Sequence, residues 1–297
     1  MGEVLFNTNE VAKMLQVDKS TVKRWTEEKK LKCFRTPGGH RKFRAEDLYN
    51  FMAEYNYGVS TLRMMPQMAS DEAIIKRIVT NKEYNVLHSV CFNAAIKGKK
   101  DEIITLFVEV YHAGLPLSMI FDHILMPTLK KMNDTLRANK ISALENQLAI
   151  TALSGAIVQL SDSITHYTKN EKIVICASLE NEKSDVEFKA MTTLLEINGY
   201  NVLNLGLGMS PDIIAELIER VKPFAVCLYS HTADDEAKLK NDTERIISIA
   251  VNHRSQFISV GSGSLGEHLS EVKHCKTFAE LDTINTIHSG VSSINVK

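Results

Sequence analysis

The sequence predicts a multidomain chain with an α-helical winged helix-turn-helix, then an α-helical bundle, and last a doubly wound α/β domain with a parallel sheet. Three observations predict this order. The N-terminal segment combines two short amphipathic helices with a basic, Gly-rich turn. The middle of the chain repeats apolar residues at helical spacing. From Lys172 onward, short runs rich in Val, Ile and Leu alternate with helical stretches, which is typical of a parallel sheet.

The composition is that of a globular protein without a membrane segment. The 297 residues are 44% hydrophobic and 24% charged, and about two domains are expected at roughly 150 residues each. No run approaches the ~18 apolar residues of a membrane span, and the N-terminal stretch lacks the basic and apolar regions of a signal peptide. We therefore expect a cytoplasmic protein with no membrane partner.

The cysteines and histidines form no metal or redox motif. The five cysteines are scattered without a C-x-x-C pair, and the ten histidines include no H-E-x-x-H pattern. We interpret the cysteines as reduced, buried thiols. No Ser/His/Asp set or pair of catalytic carboxylates can be assembled, so we expect no metal site and no enzymatic activity.

The charge is distributed unevenly along the chain. The segment from Lys13 to Arg44 contains eleven Lys and Arg but only three Asp and Glu, a local charge of +8. Because the whole chain has a net charge of −1, the remainder carries −9. A basic segment on an acidic body is typical of a protein that binds a polyanion.

The first predicted helix lies at the start of the basic segment, and both its capping residues and its apolar residues can be recognised. Asn7 and Glu10 have the spacing of a capping box, and Val11 and Leu15 form one apolar stripe. A turn at Gln16-Val17 then ends this helix. These features predict one short helix that packs against the helix that follows it.

A second helix is predicted over KSTVKRWTEEKK, with Asp18 as its cap. Val22 and Trp25 share one face, which leaves the polar and basic residues at the start of the helix pointing elsewhere. Two helices joined by a tight turn make a helix-turn-helix, whose second helix places its N-terminal side chains against base edges in the major groove.

The next segment predicts a β-hairpin wing. Leu31–Phe34 and Arg41–Phe43 would pair across a tip formed by PGG, and Arg35 and Arg41 can bind phosphates. We interpret Trp25 and Phe43 as core residues rather than base-stacking ones. The predicted contacts to double-stranded DNA are Lys19, Ser20, Thr21, Lys23, Arg24, Arg35, Thr36, His40, Arg41 and Lys42.

A linker and a helical bundle are predicted to follow. Periodicity is lost from Tyr57 to Ser70, and helical patterns then end on Gly98 and Gly114. Pro127 should kink its helix or mark the first turn. A long helix over ISALENQLAITALSGAIVQLSDSITHY completes a bundle of about four helices.

The last part predicts a doubly wound sheet. Strands are expected at KIVICAS, NVLNLGL, FAVCLYS and QFISVGS, with a fifth at KTFAEL. Ligands of such sheets bind beyond the carboxyl ends of the strands. The loops expected there are 179–185, 206–210, 230–234 and 261–266.

Particular motifs carry a family resemblance. STVKRW, TPGGHRKF and AEDLYNFM resemble the winged-helix DNA-binding domain of the MerR family and its excisionase relatives. GYNVLNLGLGMSPDIIAELIERVKPFAVCLYS resembles the sensory half of the cobalamin-dependent MerR regulators, which are light-responsive repressors. The resemblance implies a flavodoxin-like sheet and four segments: a DNA-binding domain (1–57), a linker (58–73), a helical bundle (74–169) and a cobalamin-binding-type domain (170–297).

The resemblance fails at the cobalt ligands that it implies. The D-x-H-x-x-G motif of the family falls on Glu182, Ser184 and Glu187, so the histidine below cobalt is missing. The upper Glu-His pair falls on Glu145 and Asn146, and Thr135 and Leu136 stand where the family has a tryptophan. The pocket implied by resemblance is therefore degenerate; its residues are Glu145, Asn146, Glu182, Ser184, Asp185, Glu187, Gly206, Ser230, His231, Gly261 and Gly263.

Cobalamin held in the usual way is therefore not expected. Cobalamin bound without a protein ligand to cobalt, another small molecule and no ligand at all stay open. His231 follows the third strand and can be considered as a substitute ligand, with an ordinary loop histidine as the alternative.

The sequence as a whole favours a DNA-binding transcription regulator, in particular a repressor. One short recognition helix covers little DNA, so a homo-oligomer on paired half-sites is expected. A small-molecule-responsive or light-responsive regulator is the first alternative. A corrinoid carrier and an adaptor that responds to a regulatory protein are the others; the carrier would require a histidine at position 184, where serine stands.

Overall fold

The computed structural model describes residues 5–15, 17–44, 47–48, 50–51, 55, 69–164, 168, 170–179, 185–230, 236–261 and 272–284. The chain divides into two compact units, Met1–Ala156 and Ile157–Lys297. The first unit contains the helix-turn-helix and most of the helical bundle, and the second contains the parallel sheet. The predicted fold class is confirmed. The bounds of the four predicted segments remain predictions.

The N-terminal part is a winged helix-turn-helix. Its elements are β1 (Leu5–Asn7), α1 (Thr8–Met14), α2 (Lys19–Glu27), β2 (Phe34–Arg35) and β3 (Arg41–Arg44). The strands form an antiparallel sheet of order β1-β3-β2. Phe6 pairs with Phe43 across this sheet, and both rings are buried. Strand β1 was not predicted.

The hairpin is confirmed, but its first strand begins later than predicted. Leu31 lies outside β2 and is buried instead. The reason is the end of α2, where the N–H groups of Lys30 and Leu31 both donate to the carbonyl of Trp25, at 2.9 and 3.2 Å. This turn directs Leu31 into the core, so strand pairing starts only at Phe34.

Helices α1 and α2 are capped in different ways. The carbonyl of the Asn7 side chain accepts the N–H of Glu10 at 3.0 Å, and the Glu10 carboxylate accepts the N–H of Asn7 at 2.7 Å, which confirms the capping box. Asp18 stands at the N-cap of α2, but its side chain makes no capping hydrogen bond. Helix α2 ends at Glu27, before the predicted end, because Lys29 adopts a left-handed conformation with φ 56°.

The bundle consists of α3 (Ala69–Thr80), α4 (Tyr84–Ile96), α5 (Lys100–His112), α6 (Leu117–Ile120), α7 (Met126–Arg137) and α8 (Ala143–Ser163). A π-helical turn, Phe121–Leu125, joins α6 to α7 into one continuous helix. Helix α3 begins inside the predicted linker and adds one helix to the four expected. Most of that linker lies outside the described residues.

Pro127 lies in the first turn of α7, which is one of the two positions predicted for it. A proline has no N–H to donate, and its ring crowds the carbonyl four residues earlier. The π-helical turn directly before it widens the helix at this point. We infer that the wider turn lets the helix continue past Pro127.

The second unit is a five-stranded parallel sheet with flanking helices. In chain order it contains β4 (Ile173–Ala177), α9 (Val186–Ile197), β5 (Asn201–Gly206), α10 (Pro211–Val221), β6 (Ala225–Tyr229), α11 (Glu236–Asn252), β7 (Gln256–Val260), β8 (Val272–Cys275) and α12 (Phe278–Asp282). The strand order is β5-β4-β6-β7-β8, the flavodoxin-like order, with its switch point between β4 and β6. All residues of β6 are buried, as expected for a central parallel strand.

The predicted fifth strand at KTFAEL is wrong. Thr277 caps α12 and forms a capping box with Glu280, so this segment turns into a helix. The fifth strand is instead VKHC, Val272–Cys275, which pairs with β7. No described helix is long and apolar enough to cross a membrane.

Candidate functional site

The exposed face of α2 is set by the packing of its opposite face. Val22 and Trp25 are buried, and the Trp25 ring lies 4.9 Å from the ring of Phe51. This contact confirms that Trp25 is a core residue, and Phe43 is buried as well. The predicted DNA contacts on the outer face, Lys19, Ser20, Lys23 and Arg24, are all exposed, whereas Thr21 is half-buried.

The tip of the wing is a tight turn, and one of its residues adopts a left-handed conformation that favours glycine. Gly39 has φ +78°, and its N–H donates to the carbonyl of Thr36 at 2.8 Å. The N–H of Thr36 in turn donates to the carbonyl of His40 at 3.0 Å. Arg35 and His40 are exposed, and Thr36 and Lys42 are half-buried. The wing therefore presents basic side chains next to α2.

Arg41 differs from its predicted role as an exposed phosphate contact. Its Nη2 lies 3.1 Å from Oε1 of Glu27, and its side chain is only 15% exposed. The ion pair connects β3 to the last residue of α2. A predicted phosphate contact is expected to be exposed, whereas the Arg41 side chain is largely buried and already pairs with Glu27.

Phe34 was not predicted to take part in the wing surface. It is 39% exposed, and the guanidinium of Arg44 lies 5.9 Å from its ring centroid. The aromatic next to basic residues at 32 and 35 was the available sequence signal. A cation at this distance is attracted by the face of the ring.

Glu145 is engaged in capping α8. Its carboxylate accepts the N–H of Ser142 at 2.7 Å and the hydroxyl of Ser142 at 2.8 Å. These hydrogen bonds lower the pKa of Glu145. The S-x-x-E spacing of Ser142 and Glu145 was a capping-box signal in the sequence. Asn146 is the next residue of the same turn and is half-buried.

The described residues near the switch point form two polar pairs. The hydroxyl of Tyr229, at the end of β6, donates to Oε2 of Glu187 at 2.7 Å, and Tyr229 is buried. Asp185 stands at the N-cap of α9 and forms an ion pair of 2.6 Å with Lys189. Gly206, at the end of β5, has φ +88°.

Gly261 and Ser230 are brought together by the approach of two strands. A Cβ at Gly261 would lie 2.3 Å from the carbonyl oxygen of Ser230, so only glycine fits. The N–H of Gly261 donates to the carbonyl of Cys275 at 3.1 Å. Packing alone accounts for this glycine. Four further predicted pocket residues, Glu182, Ser184, His231 and Gly263, lie outside the described residues.

Among the described residues of the predicted pocket, Asp185 and Glu187 are the acidic ones in the sheet domain. The carboxylate of Asp185 pairs with Lys189, and the carboxylate of Glu187 accepts the hydrogen bond from Tyr229. Within the described residues, no group of three His, Cys, Asp or Glu side chains could hold a metal ion. Carboxylates suit hard cations, whereas imidazole suits transition metals.

These features define a helix-turn-helix protein with a helical bundle and a flavodoxin-like sheet. Residues 5–55 match a family described as a helix-turn-helix domain. No curated protein matches the chain significantly.

Two solved structures are similar to much of the chain. The Methanosarcina barkeri monomethylamine corrinoid protein is similar over 67% of this chain and 96% of that chain, with 18% identity and a TM-score of 0.54. A cobalamin-binding protein from Desulfitobacterium hafniense is similar over 72% of this chain and 97% of that chain, with 13% identity and a TM-score of 0.35. The first similarity shows a shared fold.

Proposed function

We propose that the protein is a sequence-specific DNA-binding transcription regulator of the MerR type, and that it acts as a repressor without enzymatic activity. The observation that carries this proposal is the outer face of α2. Lys19, Ser20, Lys23 and Arg24 are exposed together at the start of a helix whose inner face is fixed by Val22 and Trp25. This arrangement suits major-groove recognition, with the wing binding the backbone.

The proposal includes a homo-oligomer and a degenerate sensory half. A single module of this size covers too little DNA for tight specific binding, so two copies would bind paired half-sites.

In the sheet domain, we propose that cobalamin is not ligated in the usual way. The Tyr229–Glu187 hydrogen bond supports this, because a buried tyrosine holds a carboxylate beside the switch point, where the corresponding family position is a glycine.

The Arg41–Glu27 ion pair gives a first test of DNA binding. Arg41→Ala should weaken binding to duplexes of any sequence and reduce the salt slope by about one, because a phosphate contact is lost. Glu27→Gln should do the reverse, because it frees the guanidinium and removes a negative charge from the end of α2. Fluorescence anisotropy of a labelled random-sequence duplex at several salt concentrations measures both effects.

Arg220→Ala is the matched control, since it removes the same charge from an exposed ion pair with Glu216 in the other unit. All three variants should fold, because Glu27, Arg220 and Glu216 are largely exposed and ion pairs that reach the solvent contribute only about 0–1 kcal/mol. Unchanged affinity and slope for Arg41→Ala on every duplex would show that the wing does not contact DNA.

Cobalamin binding gives a second test, on the sensory half. Wild-type protein should show no nitrogen-ligated spectrum with hydroxocobalamin, and Ser184→His alone should not restore one. The charge of Glu187 would remain, and covering it with the cofactor would cost desolvation. Ser184→His combined with Glu187→Gly should bind more tightly than either single variant in calorimetric titration.

Tyr229→Phe is the control for this series, because it removes the hydroxyl donor but leaves the Glu187 carboxylate in place. It should bind no better than wild type. Tight binding by wild type with a nitrogen-ligated spectrum would contradict the proposal, and His231→Ala would then identify the substitute ligand.

A further inference from the structure

Two helices of the bundle run side by side in the same direction and form a polar seam. The Tyr84 ring of α4 stacks on the His123 ring of the π-helical turn, at 4.8 Å between centroids and an interplanar angle of 18°. Further along both helices, Ser89 lies beside Lys131, with 3.4 Å between Oγ and Nζ. We call Tyr84, His88, Ser89, His123 and Lys131 the Lys131 seam.

Buried packing fixes the two helices beneath the seam. The hydroxyl of Thr128, which is fully buried, donates to the carbonyl of His88 at 3.0 Å and to the carbonyl of Ile124 at 2.7 Å. The π-helical turn lies directly before this contact and carries His123. Such turns are frequent at functional sites because they change where side chains point. A buried hydrogen bond therefore joins the two helices that carry the seam.

Lys131 is the charged group of the seam, and it is half-buried. Its Nζ lies 4.6 Å from the centroid of the Phe92 ring and contacts the Ser89 hydroxyl. In the described part of the chain, no carboxylate forms an ion pair with it. Burial lowers the pKa of Lys131. Lysines removed from water are normally paired with an opposite charge.

His88 lies in the same environment. Its Nδ1 is buried and has no hydrogen-bond partner. Burial, and next the charge of Lys131, lower the pKa of His88. A bound anion would offset both effects, because it would neutralise the ammonium and favour the protonated imidazole. A metal cation would instead be repelled by Lys131.

We propose that the Lys131 seam binds a small oxyanion, the carboxylate or phosphate group of a metabolite, with Lys131 as its charge partner and with His88 and Ser89 beside it. The stacked Tyr84 and His123 rings form the other end of the seam. This proposal names a ligand class for the sensory half of the proposed regulator. Binding itself does not require that the protein recognises DNA, so the two proposals can fail separately.

Histidine NMR on the full chain tests the proposal. Protein labelled at the Cε1 carbon of histidine is titrated with inorganic phosphate or with acetate at constant ionic strength, and the His88 signal is assigned with His88→Gln. We expect a saturable shift of the His88 signal with at least one of the anions. Lys131→Met should weaken the apparent affinity by about tenfold or more, the scale of a charge-assisted hydrogen bond.

Lys130→Met is the matched control, because Lys130 is the exposed neighbour on the same helix, and it should leave the titration unchanged. Lys131→Arg keeps the charge and should retain most of the binding. Saturation with phosphate alone or acetate alone identifies the preferred group. The proposal is overturned if neither anion gives a saturable shift in wild type, or if Lys130→Met and Lys131→Met behave alike. Circular dichroism confirms that each variant is folded.

Discussion

Replacing Lys23 and Arg24 together by alanine should abolish specific recognition of the operator. Both side chains project from the exposed face of α2, and neither belongs to the core. Each good contact to a base edge contributes about 1–3 kcal/mol of discrimination, so losing two should weaken specific binding by ~10²-fold or more. Fluorescence anisotropy with the operator and with a scrambled duplex measures this loss.

The fold should survive the double substitution. Arg24 makes only a long ion pair with Glu28, at 3.9 Å, and its side chain is 65% exposed. The charge-matched control is Lys130→Ala with Lys140→Ala, since both lysines are exposed in the bundle. Loss of binding in the control as well would show that net charge, rather than α2, governs the interaction.

Phe43→Ala should unfold the winged helix-turn-helix and leave the rest of the chain folded. Phe43 is fully buried and pairs with Phe6 at the centre of the small sheet. Removing a buried phenylalanine costs about 3–5 kcal/mol, which is most of the stability that a domain of this size can have. Specific DNA binding should be lost at the same time.

Tryptophan fluorescence measures this effect selectively. Trp25 is the only tryptophan in the chain, and it is buried in the helix-turn-helix. Its emission therefore reports the unfolding of this part alone. Phe34→Ala is the control, because Phe34 is 39% exposed and loses at most a cation–π contact of about 0.5–1 kcal/mol. Equal melting midpoints for Phe43→Ala and wild type would contradict the assigned core.

Local signals predicted most of the fold. The Asn7–Glu10 capping box, the Val22–Trp25 face and the first four of the five predicted strand runs each depend on residues close in sequence, and the structure contains these features. The order of the parallel strands follows from the alternation of strands and helices together with the family resemblance. Local chemistry and global topology agree in these segments, which is why the sequence sufficed.

The predictions failed where the local structure depends on contacts between residues far apart in the sequence, or on competing contacts nearby. Arg41 meets Glu27 only after the hairpin folds back on α2, so its partner could not be recognised from sequence spacing. The segment KTFAEL has strand-like residues, but the capping box of Thr277 and Glu280 starts a helix there. For Glu145 the structure adds a capping contact that Ser142, three residues earlier, already signalled, and its assignment to a pocket stays a prediction.

The Lys131 seam could not be predicted, because its residues are far apart in the sequence. Tyr84 and His88 belong to α4, whereas His123 and Lys131 belong to the helix interrupted by the π-helical turn. No sequence rule locates a π-helical turn, and without it the facing residues of the two helices cannot be aligned. That no described carboxylate pairs with Lys131 becomes visible only when the neighbours of Lys131 are known.

Selection of bound duplexes from a random-sequence pool tests the central claim most directly. Full-length protein should enrich a sequence with two related half-sites, about 10 base pairs apart from centre to centre, because a homo-oligomer presents two copies of α2. The variant with Lys23→Ala and Arg24→Ala should enrich no such sequence under the same conditions. If wild type and this variant recover the same unenriched pool, the protein does not read DNA sequence through α2.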